Sequence, residues 1–204
     1  MLSADAITQL QDELTDAWHC ASPEAATHTH SDWLARVARQ HRANFDLWHI
    51  EDEARTPGAT DAEIAGVKRR IDLTNQLRND LAEELDRALL DWLGPQHLPH
   101  PGAQLNSESP GLIIDRLSIL ALKIFHTQEE ARRADCPREH AERNRNRLGI
   151  LLEQRDDLAH CLDSLWEETL AGTRRFKLYR QLKMYNDPLL NPAIYRKAVP
   201  GQAH

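Results

Sequence analysis

TDAEIAGVKRRIDLTNQLRNDLAEELDRALLDWL, residues 60–93, reads as one long helix, and the rest of the chain is organised around it. Ile64, Val67, Ile71, Thr74, Arg78, Leu81, Leu85, Ala88 and Trp92 recur at three- and four-residue spacing, which places them on one side. Such a side is normally apolar throughout, because it is the side a helix buries. Here its centre holds Thr74 and Arg78, while Asp72, Asn75, Asn79 and Asp86 line the flank. Thr, Asn and Asp each cost about 0.6 kcal/mol relative to Ala in a helix interior. A solvated face is usually written in Glu, Lys, Gln and Arg. Short amides and carboxylates in mid-helix therefore imply that something polar is held there.

Working outward, Thr60 and Glu63 make a capping box that starts this helix, and Pro57-Gly58 separates it from the one before. That earlier helix runs from Trp33 to about Arg55, with Asp32 as its cap. Its stripe of Leu34, Val37, His41, Phe45 and Trp48 turns polar at Glu51, Asp52 and Arg55. The two form a hairpin that brings Trp48–Arg55 near Lys68–Asn75. A first helix covers residues 4–20, capped by Ser3, with Ile7, Leu10, Leu14 and Trp18 on one stripe. On the other side, Gly94-Pro95 ends the long helix and Ser109-Pro110 opens a fourth. Apolar residues cover nearly the whole circumference of the fourth helix, so it is expected to be buried. Asp115, Ser118, Leu122 and His126 share one line along it, and a buried acid needs partners. A fifth helix runs from Asp135-Cys136-Pro137 to about Gly172. The stretch after it reads as helical at first, then extended through Asn191-Pro192. The expected fold is all-α: a single domain over residues 1–204, a bundle of five or six helices with an extended C-terminal segment.

Composition agrees with a globular domain, at 41% hydrophobic and 28% charged residues. The net charge of −7 argues against generic nucleic-acid binding. Residues 174–204 carry seven Lys or Arg and one acid, Asp187, a net of +6, which leaves the body at −13. A basic tail packing on an acidic body is the expectation. Cys20, Cys136 and Cys161 show no CxxC spacing and read as reduced thiols. With no signal-peptide pattern and no long apolar run, the sequence points to a cytoplasmic protein that does not enter a membrane.

NFDLWHIEDEAR (44–55), KRRIDLTNQLRND (68–80), SPGLIIDRLSILALKIFH (109–126) and KMYNDPLLNP (183–192) resemble a bacterial family known only as domain of unknown function 4254. The resemblance runs from about residue 30 to 195. It implies a single all-helical domain with no established activity and no assigned catalytic residue. Genes of that family often sit near glycosyltransferases, which implies a link to cell-surface sugar metabolism.

The candidate site is the polar set contributed by three helices. Asp52, Asp72 or Asp115 would serve as acid or base, with His49 as the proton-transfer partner. Arg55, Arg78 and Arg116 would meet anionic groups, and Glu51, Asn75, Asn79 and His126 would complete a ligand pocket. Tyr185 and Asn186 are expected to reach this set from residues 183–192, packed against the second and third helices. Asp72, Asn75, Asn79 and Asp115 should be mostly buried, with at least two of them touching Arg55, Arg78 or Arg116.

No cofactor is expected. Neither His28 with His30, nor the pairs His49–Asp52 and Asp157–His160, completes a metal-ligand spacing. Two functional readings remain. One is a bundle that binds a small polar, anionic metabolite, a sugar phosphate or nucleotide sugar, with conversion left open. The other is a non-catalytic accessory protein for a partner enzyme, with a purely structural polar core. Homo-oligomerisation is left open.

Overall fold

A computed structural model describes residues 2–20, 31–180, 182, 189 and 190. Five α-helices dominate it: α1 (Ala4–His19), α2 (Asp32–Glu53), α3 (Asp61–Leu93), α4 (Pro110–Arg132) and α5 (Arg138–Leu170). A 3-10 turn, Gly94–Gln96, extends α3. Two short strands, β1 (Gln104–Leu105) and β2 (Arg174–Arg175), pair in parallel. Among the described residues the domain is all-α, as expected. Among the described residues no helix is long and apolar enough to cross a membrane.

Local chemistry sets the helix ends. Thr60 and Glu63 form the expected reciprocal capping box at the start of α3. Ser3 caps α1, and Ser31 caps α2 one residue earlier than the Asp32 expected from the sequence. Gly172 follows α5 at φ +73, a left-handed conformation open to glycine without a Cβ clash. The chain after it is not helical. Arg174 and Arg175 pair with Gln104 and Leu105 instead, and Phe176 is buried in the core at 2% exposure. The stretch expected to be helical from residue 174 is therefore corrected over residues 174–180. A buried Phe anchor and a strand partner outweigh a weak helical pattern.

Helix α4 is the central element and packs on all four other helices. Ile113, Ile114, Leu117, Ala121, Leu122 and Ile124 are buried on its different sides, which accounts for its all-round apolar sequence. The main core joins Ile113, Ile114 and Leu117 to Leu85, Leu89 and Leu93 of α3, Ile7 and Leu10 of α1, and Leu162, Leu165 and Trp166 of α5. A smaller cluster of Leu47, Ile50 and Ile71 closes the tight end of the α2–α3 hairpin. Arg36 and Glu84 bridge the same hairpin further along, and Arg70 reaches Glu53 at 2.6 Å. The long stripe of α3 is buried only in part, because Ile64 and Trp92 near its ends are 36% and 41% exposed.

Gly111 allows α3 and α4 to meet closely. A Cβ at that position would lie 2.3 Å from the carbonyl oxygen of Ala82 and 2.9 Å from the Asp86 carboxylate. Asp86 uses that closeness. It accepts from the Gly111 amide at 2.6 Å and from the Ser109 hydroxyl at 2.5 Å, and so caps α4 from a neighbouring helix.

Candidate functional site

Asp115, 6% exposed, is the hub of a buried polar network. Its Oδ1 accepts from Gln40 at 2.6 Å, Asn44 at 2.9 Å and Arg78 Nε at 2.8 Å, and its Oδ2 accepts from Arg78 Nη2 at 2.5 Å. Three helices thus meet at one carboxylate. A two-point guanidinium–carboxylate pair is the geometry in which a desolvated charge is best compensated.

A directed chain continues from the hub. Asn44 donates to the Ser118 hydroxyl at 2.9 Å, and Ser118 lies 2.7 Å from His41 Nδ1. His41 Nε2 lies 2.9 Å from Thr15 Oγ1, whose hydroxyl donates to the Gln11 carbonyl at 2.7 Å. Because the Thr15 proton is taken, His41 must donate from Nε2 and accept at Nδ1, which is a neutral ring. Burial holds its pKa down at about 3, consistent with that tautomer.

Beside the hub is a cleft of about 380 Å³ between α2, α3 and α4. Leu47, Trp48, Ile119 and Leu122 give it apolar walls, while Asn44, Glu51, Asp52, Arg55 and Arg78 supply polar groups. Arg78, which lines the cleft, uses Nε and Nη2 for Asp115. Its Nη1 has only a long contact to Asn75, at 3.4 Å. Arg55 stands at the rim, 67% exposed, 3.2 Å from Glu51 and 3.9 Å from Asp52. A larger trough of about 960 Å³ runs between α4 and α5. Four of its charges pair at the surface, Arg116 with Glu108 and Arg174 with Glu168, and Lys123 and Asp157 also line it. The smaller cleft is the one that borders the buried hub through Asn44 and Arg78, which makes it the better-organised site.

A third feature lies where α1, α2 and α4 meet. His19, His49 and His126 each bring one ring nitrogen within 4.8 Å of the others. Phe125 stacks on His19 at 4.1 Å between ring centres, and Trp48 stacks on His126 at 4.9 Å. Trp48 thus belongs to both the cleft and the histidine group.

The structure divides the residues expected as one site. Arg78, Asn75 and Asp115 meet at the hub, so two of the four named polar residues do contact Arg78. Glu51, Asp52 and Arg55 line the cleft, and His49 and His126 join the histidine group. Asp72 is instead a half-buried partner of Lys68, and Arg116 lies on the trough side of α4. Asp115 is buried as expected, but Asp72, Asn75 and Asn79 are only half-buried, because the hairpin leaves that flank of α3 partly open. His49 touches neither Asp52, Asp72 nor Asp115; its Nδ1 is taken by the Phe45 carbonyl at 2.8 Å. Tyr185 and Asn186, with most of the expected strap at 183–192, lie outside the described residues.

Several organising residues are absent from the expected set. Gln40, His41 and Asn44 occupy the inner face of α2, and the three-residue spacing of His41 and Asn44 matches that of Asp115 and Ser118 on α4. That matching of two polar lines was the available signal. His19 carries no such signal, since its partners lie on other helices.

No curated protein and no solved structure matches this chain. The sequence model of a family described as "Protein of unknown function (DUF4254)" matches residues 34–178, a span that holds all but the first two residues of α2, and α3, α4, α5 and both strands. With that match over most of its length, the chain belongs to the DUF4254 family of proteins of unknown function.

Proposed function

We propose that the cleft between α2, α3 and α4 binds a small polar metabolite carrying an anionic group, with sugar phosphates and nucleotide sugars the first classes to test. The observation that carries this reading is the state of Arg78. Asp115 holds its guanidinium in a fixed plane through Nε and Nη2, Nη1 makes only a long bond to Asn75, and Arg78 lines the cleft. A guanidinium oriented in advance loses little freedom when it takes a phosphate or carboxylate. Arg55 at the rim supplies a second cation, and its present partners, Glu51 and Asp52, are exposed and easily exchanged. The apolar walls suit the body of a metabolite, and the volume falls in the range of small-ligand pockets.

Among the carboxylates expected to carry protons, Asp52 is the one placed to reach such a ligand. Asp115 already accepts four hydrogen bonds and has no capacity left for acid–base work. A thermal-shift screen at fixed pH tests the reading. A ligand at a hundred times its Kd adds about 2.7 kcal/mol to folded-state stability, which is read as a raised melting temperature. A screen in which no sugar phosphate or nucleotide sugar raises it removes this reading.

One observation favours the alternative, an accessory protein docking on a partner enzyme. Leu73 and Leu77, one turn apart on the outer side of α3, are 72% and 51% exposed. Adjacent exposed leucines suit a protein contact more than a solvated face.

A further inference from the structure

The three histidines at the α1–α2–α4 junction share a pattern that ring packing leaves unexplained. His19 Nδ1 lies 2.8 Å from the Thr15 carbonyl oxygen, His49 Nδ1 lies 2.8 Å from the Phe45 carbonyl oxygen, and His126 Nδ1 lies 2.9 Å from the Glu129 carboxylate. Carbonyls and carboxylates only accept. Each Nδ1 therefore carries the proton, and each Nε2 carries the lone pair. Three rings on three different helices are set in the same tautomer. Nε2 of His19 and Nε2 of His126 are buried without a hydrogen-bond partner. A buried acceptor with no partner is costly, and two of them on rings whose centres lie 4.9 Å apart call for a shared occupant.

Stacking against Phe125 and Trp48 accounts for where the rings lie, but an apolar ring would stack as well. It does not account for two unpartnered Nε2 atoms in a group whose three rings each bring a nitrogen within 4.8 Å of the others. Metal-binding histidines have this construction: one ring nitrogen ligates, and the other donates to a backbone carbonyl or a carboxylate that fixes its orientation. We propose that His19, His49 and His126 form a binding site for a divalent first-row transition ion of the zinc type, with Glu129 as a positioning residue behind His126.

The spacing is compatible with an ion. Zinc–nitrogen bonds of about 2.0–2.1 Å in a tetrahedral set hold the nitrogens about 3.3 Å apart. Ligand atoms now within 4.8 Å of one another reach that separation by small ring rotations. Three imidazoles without a thiolate suit zinc, nickel, cobalt or copper better than calcium or magnesium, which favour oxygen. They also leave a fourth position open to water or a ligand oxygen, as in sites where the metal does chemistry. The proposal is independent of what the cleft binds.

The test uses the full chain, stripped with a chelator and titrated with zinc sulfate alone by calorimetry. One zinc per chain is expected. His49→Gln and His126→Gln should each weaken binding at least about 100-fold, and Glu129→Gln by about 10–100-fold, the usual effect of losing a supporting partner. Replacing His28 and His30 together should change nothing. Far-UV circular dichroism checks folding; if His126→Gln fails that check, His49→Gln decides. The proposal is overturned if the parent binds no stoichiometric zinc. It is equally overturned if binding survives in a folded His49→Gln variant, or is lost only when His28 and His30 are replaced.

Discussion

Arg78 of α3 and Asp115 of α4 face each other in a two-point pair, Nε to Oδ1 at 2.8 Å and Nη2 to Oδ2 at 2.5 Å, with the Asp115 side chain 8% exposed and Arg78 24%. Removing one partner leaves the other poorly solvated and without a counter-charge. Asp115→Asn should lower stability by about 3–5 kcal/mol, measured by denaturant unfolding. Changing Arg78 to Met and Asp115 to Leu together should recover only part of that loss, because Gln40 and Asn44 then lose their acceptor. A double variant as unstable as the singles combined would show that the two residues act separately.

Asn79 offers a contrast on the same helix. It is half-buried on the α3 flank, off the hub, and outside the cleft lining. Leu is the better helix former by about 0.4 kcal/mol. Asn79→Leu is therefore expected to leave stability unchanged or raise it slightly. A loss above about 2 kcal/mol in the same unfolding measurement would assign Asn79 a structural bond.

The contact at Gly111 predicts a steric outcome. Gly111→Ala places a methyl group against the Ala82 carbonyl and the Asp86 carboxylate, so α3 and α4 must move apart and the cap on α4 weakens. A loss of about 1–3 kcal/mol is expected, the usual cost of overpacking. A melting temperature equal to that of the parent would show that the two helices separate freely.

Two buried groups set opposing dependences on pH. His41 is held neutral by burial, with a pKa of about 3 against 6.5 for a free ring. Between those values the unfolded chain binds a proton that the folded chain does not, so stability is lost as pH falls through 6.5. Asp86 is moved the other way, from 3.8 to about 6, because burial outweighs its bonds from Ser109 and Gly111. Between those values the folded chain holds the extra proton, so stability is lost as pH rises toward 6. In the parent the two slopes largely cancel between about pH 4 and 6, each being about 1.4 kcal/mol per pH unit. Relative to the parent, Asp86→Asn should gain stability as pH rises through that window, and His41→Gln should lose it. Denaturant unfolding of both variants at several pH values checks the signs; slopes of the same sign would contradict the assignment.

The fold was legible because its signals are local. The Thr60–Glu63 capping box, the Pro57-Gly58 break and the all-round apolar α4 each identify an element without reference to any other. The hub was half legible. Asp115 inside an apolar helix demanded partners, and Arg78 was the cation on a facing stripe, but Gln40 and Asn44 needed the rotation of α2 about its axis, which packing sets. Asp72 was misplaced for the same reason: one flank of α3 turns toward Asp115 and the neighbouring one toward solvent, where Lys68 meets it. His19, His49 and His126 lie on three helices, and only assembly brings them together. Arg174 to Phe176 failed because the strand partner at Gln104 is far away in sequence.

The cleft reading depends on Arg55 and Arg78 acting together on an anionic ligand. Arg55 is the better probe, because it is 67% exposed and its removal disturbs no buried group. The direct measurement is calorimetric titration of the parent and of Arg55→Ala with a nucleotide sugar such as UDP-glucose, and with glucose 1-phosphate. The expected result is one site per chain in the parent for at least one of them, weakened about tenfold or more in Arg55→Ala, which loses one charge-assisted contact. No heat of binding from either ligand, or equal affinity in parent and variant, would contradict a metabolite site in this cleft.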